Sequence, residues 1–272
     1  MRVRVRFAKA GKLRFISAID LGRVWERALR KADLPIAYSE GFSPHPKVSF
    51  GDALPLGFAS TAEFCELTFA GPVDLADMAA RLDAAFPDGI AVVDAVEAVE
   101  GDMRLGKLLQ ASLWELTYPS PEGLVEAVDA LPADGPLPVQ RMKKDELVTA
   151  DLRPALVGIV ADGARVRATV RHPGVIPGDH VAGGAGGAAV RADDIHPLLG
   201  LDAPPTVITR LVQGRVDDST AGVADALRGT VEPLRPGTSP PSPATTAADP
   251  VRTDPRAARD DASDGAAAGH HS

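Results

Sequence analysis

Two periodicities alternate along the first hundred residues. Residues 2–7 read R-V-R-V-R-F, so Val3, Val5 and Phe7 share one face of a strand and Arg2, Arg4 and Arg6 the other. From Ser17 the period changes to that of a helix. Leu21, Val24, Trp25, Ala28 and Leu29 line one side, Arg23, Arg27, Arg30 and Lys31 the opposite one, and Ser17 with Asp20 makes a capping-box-like start. Extended segments are expected over 36–39, 47–50 and 63–69. A second helix over 75–86 turns Leu75, Met78, Ala79 and Leu82 inward and stops at Gly89, and a strand over 90–99 closes the unit. The order βαββαβ is the ferredoxin-like pattern, in which both helices cover one face of the sheet.

The second half repeats the element order without residue similarity. Strands are expected over 114–118, 137–142, 156–161, 165–171 and 206–212, with helices over 122–131 and 192–199. Asp162-Gly163 is the hairpin turn between two of these strands. The fold class is therefore α+β: two tandem ferredoxin-like units, residues 1–100 and 111–214, followed by a disordered tail over 215–272. Six prolines between residues 233 and 250, amid Ala, Thr and Asp, supply too little apolar surface to offset the entropy of ordering. The glycine-dense stretch 173–189 lacks the Lys-Ser or Lys-Thr of a nucleotide loop and is expected to be a mobile hairpin or crossover.

Charge sharpens this picture. The chain of 272 residues carries a formal charge of −8, yet residues 1–50 hold eleven Lys or Arg against four acids. Local field governs binding, so the N-terminal unit remains open to an anionic partner. Covered by helices on one side only, its sheet presents Arg2, Arg4 and Arg6 on the other, about 6.8 Å apart, as a stripe that tracks phosphates. A solvated face, or one packed against acidic groups, is the plainer alternative. Cys65 shares a period-two face with Leu67 and Phe69 and reads as a buried thiol. The histidines are scattered, no Cys-rich cluster occurs, and no metal site is expected. No apolar run is long enough to span a bilayer, and the single cysteine and the absence of a signal-like segment point to the cytoplasm.

The segment 38–57 concentrates the remaining chemistry. Pro44 and Pro46 stiffen their own backbones and the residues before them, which presents Ser43, His45 and Lys47 on a rigid, extended loop. His45 is the candidate acid, base or substrate-orienting group. The candidate RNA-binding set is Arg2, Arg4, Arg6, Lys12, Arg14, Arg27, Ser43, His45 and Lys47. Lys143-Lys144-Asp145-Glu146 reads as a surface turn or a second contact patch.

Gly11-Lys12-Leu13-Arg14-Phe15, Asp20-Leu21, Glu26-Arg27-Ala28-Leu29-Arg30, the run from Tyr38 to Lys47, and Pro55-Leu56-Gly57 together resemble the radical-SAM-linked protein family. This is a domain of unknown function found beside, or fused to, radical SAM enzymes. The similarity covers residues 2–213, is densest over the first seventy, and is carried later by Asp151-Leu152-Arg153-Pro154. The family commonly has Ser-His before its helix start. This chain has Ser17-Ala18, so no role for that histidine carries over. The resemblance implies a radical SAM enzyme as partner, with the iron–sulfur cluster and S-adenosylmethionine held there and no cofactor in this chain. A non-catalytic accessory that presents RNA is the expected function. A stand-alone RNA-processing enzyme using His45, or a structural protein-docking module, is the alternative.

Overall fold

The computed structural model describes residues 1–143, 145–173 and 190–236. The first strand, β1 (Arg2–Lys9), leads through a 3₁₀ turn into α1 (Ala18–Lys31). Ser17 caps this helix by accepting from the backbone N–H of Asp20 at 3.1 Å, while Arg30 and Lys31 occupy its last turn, where the helix dipole favours cations. Next come β2 (Val48–Phe50), β3 (Ala59–Thr68), α2 (Leu75–Ala85) and β4 (Ile90–Glu97). Val3, Val5 and Phe7 of β1 and Cys65 and Leu67 of β3 form the first core with Trp25, Leu29, Met78 and Leu82 of the two helices.

A short α3 (Leu105–Leu108) links to β5 (Ala111–Thr117), α4 (Leu124–Asp129), and a hairpin of β6 (Pro138–Lys143) and β7 (Glu146–Asp151). β8 (Leu156–Asp162), β9 (Arg165–Arg171), α5 (Ile195–Leu199), β10 (Val207–Asp217), β11 (Gly222–Asp225) and β12 (Val231–Glu232) follow. The second core gathers Trp114, Leu116, Val166, Ala168 and Val170 beneath Leu124, Ile195 and Leu199.

The result is a mixed α/β fold with few helices and one large sheet. Among the described residues the main path runs β4-β1-β3-β10-β5-β9-β8, with β2 added on β3 and β11–β12 folded off β10. The two halves meet where Thr209 and Arg210 of β10 pair in parallel with Ala59 and Ser60 of β3. They share a sheet rather than standing apart, because β2 is only three residues long and leaves the start of β3 unpaired on that side.

Three expectations change. Residues 36–39 form no strand, only isolated bridges from Ile36 to Phe69 and Tyr38 to Pro46, since prolines 35 and 46 withhold backbone donors there. The stretch 137–142 pairs with β7 in a separate two-stranded ribbon, and Asp145, at φ 63°, lies in its turn. The third change concerns the boundary drawn at residue 215. The fold continues to residue 236, because Val223 is fully buried against Ala111, Leu113, Leu211 and Val212, with Val216 and Leu234 packed on the same cluster. The glycine-dense stretch falls almost wholly outside the described residues, as does the chain beyond 236.

Candidate functional site

The arginine stripe of β1 does point away from the helices, but that face is covered. The linker ahead of β5 crosses it, with Leu105 and Leu109 packed on Ala62 and Phe64. Arg4 is 6% exposed, bonds Glu66 at 3.2 Å, lies 3.5 Å from Asp102 and donates to the carbonyl of Met103. Arg6 reaches Asp225 at 2.9 Å and the carbonyls of Thr61 and Leu211. Asp225 is held in turn by the backbone N–H groups of Leu227 and Arg228, and Arg228 closes a two-pronged pair on Asp94 at 2.7 Å. Hydrogen bonding from Arg228 lowers the Asp94 carboxyl below its ordinary value. Arg2 alone of the three keeps substantial exposure, and it too is paired, with Glu66 at 3.3 Å. The stripe is thus a packed, neutralised face, as an acidic covering segment dictates.

The other sequence-selected residues lie outside β1, in the 3₁₀ turn, on α1 and in the loop before β2. Lys12 and Arg14 lie in the 3₁₀ turn before α1, and the Arg14 guanidinium sits 4.7 Å from the centre of the Phe15 ring. Gly57, at φ 87°, donates to the Arg14 carbonyl at 2.9 Å and brings Leu56 to the same region. The loop of His45 is closed on itself: the Ser39 N–H donates to the His45 carbonyl, and the His45 N–H donates to the Ser39 hydroxyl. Its ring is turned to α1, with Nδ1 3.7 Å from Glu26 Oε1. Arg27, Ser43 and Lys47 are exposed, and Phe15, Ile19, Phe42 and Leu56 add exposed apolar surface. The loop therefore offers binding groups on a stiff frame, and among the described residues no nucleophile is hydrogen-bonded to the His45 ring.

A second constellation escaped the sequence pattern. Ser112, wholly buried at the start of β5, lies 2.8 Å from Nε2 of His172 at the end of β9. His172 Nδ1 is 3.0 Å from both the Leu109 carbonyl and Asp52 Oδ2. Both neighbours of Nδ1 are acceptors, so in the neutral ring Nδ1 carries the proton and Nε2 accepts from the Ser112 hydroxyl. The His172 hydrogen bond lowers the Asp52 carboxyl despite partial burial. Ser-His-Asp in this order matches the hydrogen-bond logic of a nucleophilic relay, but Ser112 has no exposed surface for a substrate to meet. The accessible member is Asp52, whose side chain is 64% exposed.

Beside this chain lies a buried polar seam between the halves. Arg210 donates to Glu63 at 2.9 Å and stacks 4.7 Å over Trp114, with Gln213 within reach. Arg210 Nε and Gln213 Nε2 have no partner among the described residues. Lys9 is 2% exposed and donates to the Ile16 carbonyl; burial lowers its pKa, and Glu63 opposes that shift. Burial likewise raises the Cys65 thiol well above its ordinary value, the state of an inert core cysteine. Among the described residues no cluster of three or more His, Cys, Asp or Glu is placed to hold a metal ion, and no helix is long and apolar enough to cross a membrane.

The family model that matches this sequence spans residues 2–175 and carries the description "uncharacterized protein conserved in bacteria", DUF2344. The match takes in more than half of the chain, from β1 through β9, and the chain belongs to that family. No curated protein matches it.

Proposed function

We propose that this protein is a non-catalytic, cytoplasmic accessory that binds RNA on the outer side of α1 and the His45 loop, and presents it to a radical SAM enzyme. The observation that carries the reading is the composition of that surface. Lys12, Arg27 and Lys47 are exposed with no acidic partner among the described residues, and the rings of Phe15 and Phe42 are exposed in the same 3₁₀ turn and loop, whereas the β1 arginines are neutralised within the fold. Exposed cations with rings beside them suit phosphates and unstacked bases. The radical SAM partner rests on the resemblance of residues 11–57, and the iron–sulfur cluster and S-adenosylmethionine belong to that partner. The finer reading of the fold as two ferredoxin-like units, joined edge to edge, draws support from the strand orders β4-β1-β3-β2 and β10-β5-β9-β8.

The test is RNA affinity as a function of salt. Replacing Arg27 and Lys47 together with Gln should reduce the slope of log K against log salt by roughly one unit for each phosphate no longer neutralised, with the melting temperature unchanged. Wild-type affinity and slope in this variant would sink the proposal. Turnover of RNA by the isolated chain, abolished by His45→Ala, would replace it with an enzyme that uses His45.

A further inference from the structure

On the covered side of the first half, a cleft of about 540 Å³ opens between the β2 turn and the approach to α3. That volume falls within the roughly 300–1,000 Å³ of small-molecule sites. Its charged and polar lining is Arg2, Ser49, Asp52, Glu66, Arg104 and Lys107. Two of these are satisfied internally. Glu66 bonds Arg2 with one oxygen and Arg4 with the other, and Arg2 turns its second terminal nitrogen towards the Val99 carbonyl. Asp52 gives one oxygen to His172.

What remains is two cations, Arg104 and Lys107, with no side-chain partner among the described residues, and in the same lining the second oxygen of Asp52 and the Ser49 hydroxyl. An Arg–Lys pair whose charge nothing compensates selects an anion, and phosphate above all, since Arg offers a planar fork and Lys a point charge. Asp52 selects the opposite chemistry, an N–H or O–H donor. Its exposed carboxylate is anchored from behind, because Ser112 and the Leu109 carbonyl hold the His172 ring and His172 holds one Asp52 oxygen. Such anchoring lowers the entropic cost of binding. The ring of Phe50 packs edge-on against Phe7 and Trp25 in the first core, so selection of the second moiety rests on the Asp52 carboxylate, which accepts from a base N–H.

We propose that this cleft binds a nucleoside monophosphate moiety, with its phosphate on Arg104 and Lys107 and a base N–H on Asp52. The site is separate from the α1 surface and stands whether or not that surface binds RNA. The moiety belongs either to a free nucleotide or to the 5′-phosphorylated end of a strand.

Calorimetric titration of the full chain with the four ribonucleoside monophosphates, the matching nucleosides, ribose 5-phosphate and inorganic phosphate tests it. At least one nucleotide should bind tenfold or more tightly than inorganic phosphate, ribose 5-phosphate and its own nucleoside. Arg104→Gln with Lys107→Gln, both at exposed positions and without effect on melting, should weaken that nucleotide tenfold or more. Asp52→Ala should erase the preference over inorganic phosphate while phosphate itself still binds. Competition by a 5′-phosphorylated trinucleotide assigns the ligand to a strand end, and lack of competition assigns it to the free nucleotide. No nucleotide outbinding inorganic phosphate and ribose 5-phosphate, or a nucleotide affinity indifferent to the double substitution, overturns the proposal.

Discussion

A residue's chemistry says what it could do, and its neighbours decide whether it does so. Arg4 and Arg6 carry the same guanidinium as Arg27, but Arg4 is buried and Arg6 only 20% exposed, whereas Arg27 stands in solvent. Phosphate binding by Arg6 would require breaking its 2.9 Å pairing with Asp225, whose side chain is 6% exposed and would then keep only the backbone N–H groups of Leu227 and Arg228 on its other oxygen. Removing one member of a largely buried pair costs about 3 kcal/mol or more. Arg6→Gln should therefore lower unfolding free energy by about 3 kcal/mol in denaturant titration, and leave the salt slope of RNA binding in the folded fraction unchanged. The contrary result, a stable variant with a flattened slope, would return the stripe to the binding surface. His45 shows the reverse relation. Its prolines already announce a presented loop, and the structure adds the approach to Glu26 that seats the loop on α1.

At the scale of elements, local pattern is a sound guide wherever one face is buried and the other is not. The period-two run of β1, the 3.6-residue stripe of α1 and the Asp162-Gly163 turn all appear where sequence reasoning expects them. It fails for elements whose stability comes from distant partners. β11 and β12 are short and flanked by acidic and proline-rich sequence, so no local signal marks them; burial of Val223 over β5 and β10 holds them in place. A chain ending at residue 216 should therefore melt many degrees lower than the full chain, since it lacks Val223, Leu234 and the Arg6–Asp225 pair. One ending at residue 236 keeps all of these interactions and should melt like the full chain. Equal melting of the two truncations in scanning calorimetry would show that the hairpin contributes nothing.

For the whole molecule, the decisive feature is the joint between β3 and β10, reinforced by the Glu63–Arg210 pair and by the Asp52–His172–Ser112 chain. These interactions tie residues far apart in sequence across one sheet, so the halves should unfold together. Trp25 and Trp114 report on the first and second cores separately. In the single-tryptophan variants Trp25→Phe and Trp114→Phe, denaturant curves followed by fluorescence and by circular dichroism should coincide within each variant; fluorescence running ahead of or behind the dichroism would reveal two independent domains. The sequence by itself determined the alternating strands, the capped and amphipathic α1, the rigid His45 loop and the buried thiol, because each depends on interactions within a few residues. Only the tertiary structure decided that one sheet unites the halves, that the β1 arginines are neutralised by Asp102 and Asp225, and that Asp52, Ser112 and His172 meet. Those outcomes depend on pairings between residues 60 to more than 200 positions apart, and no local periodicity encodes which acid will reach which base.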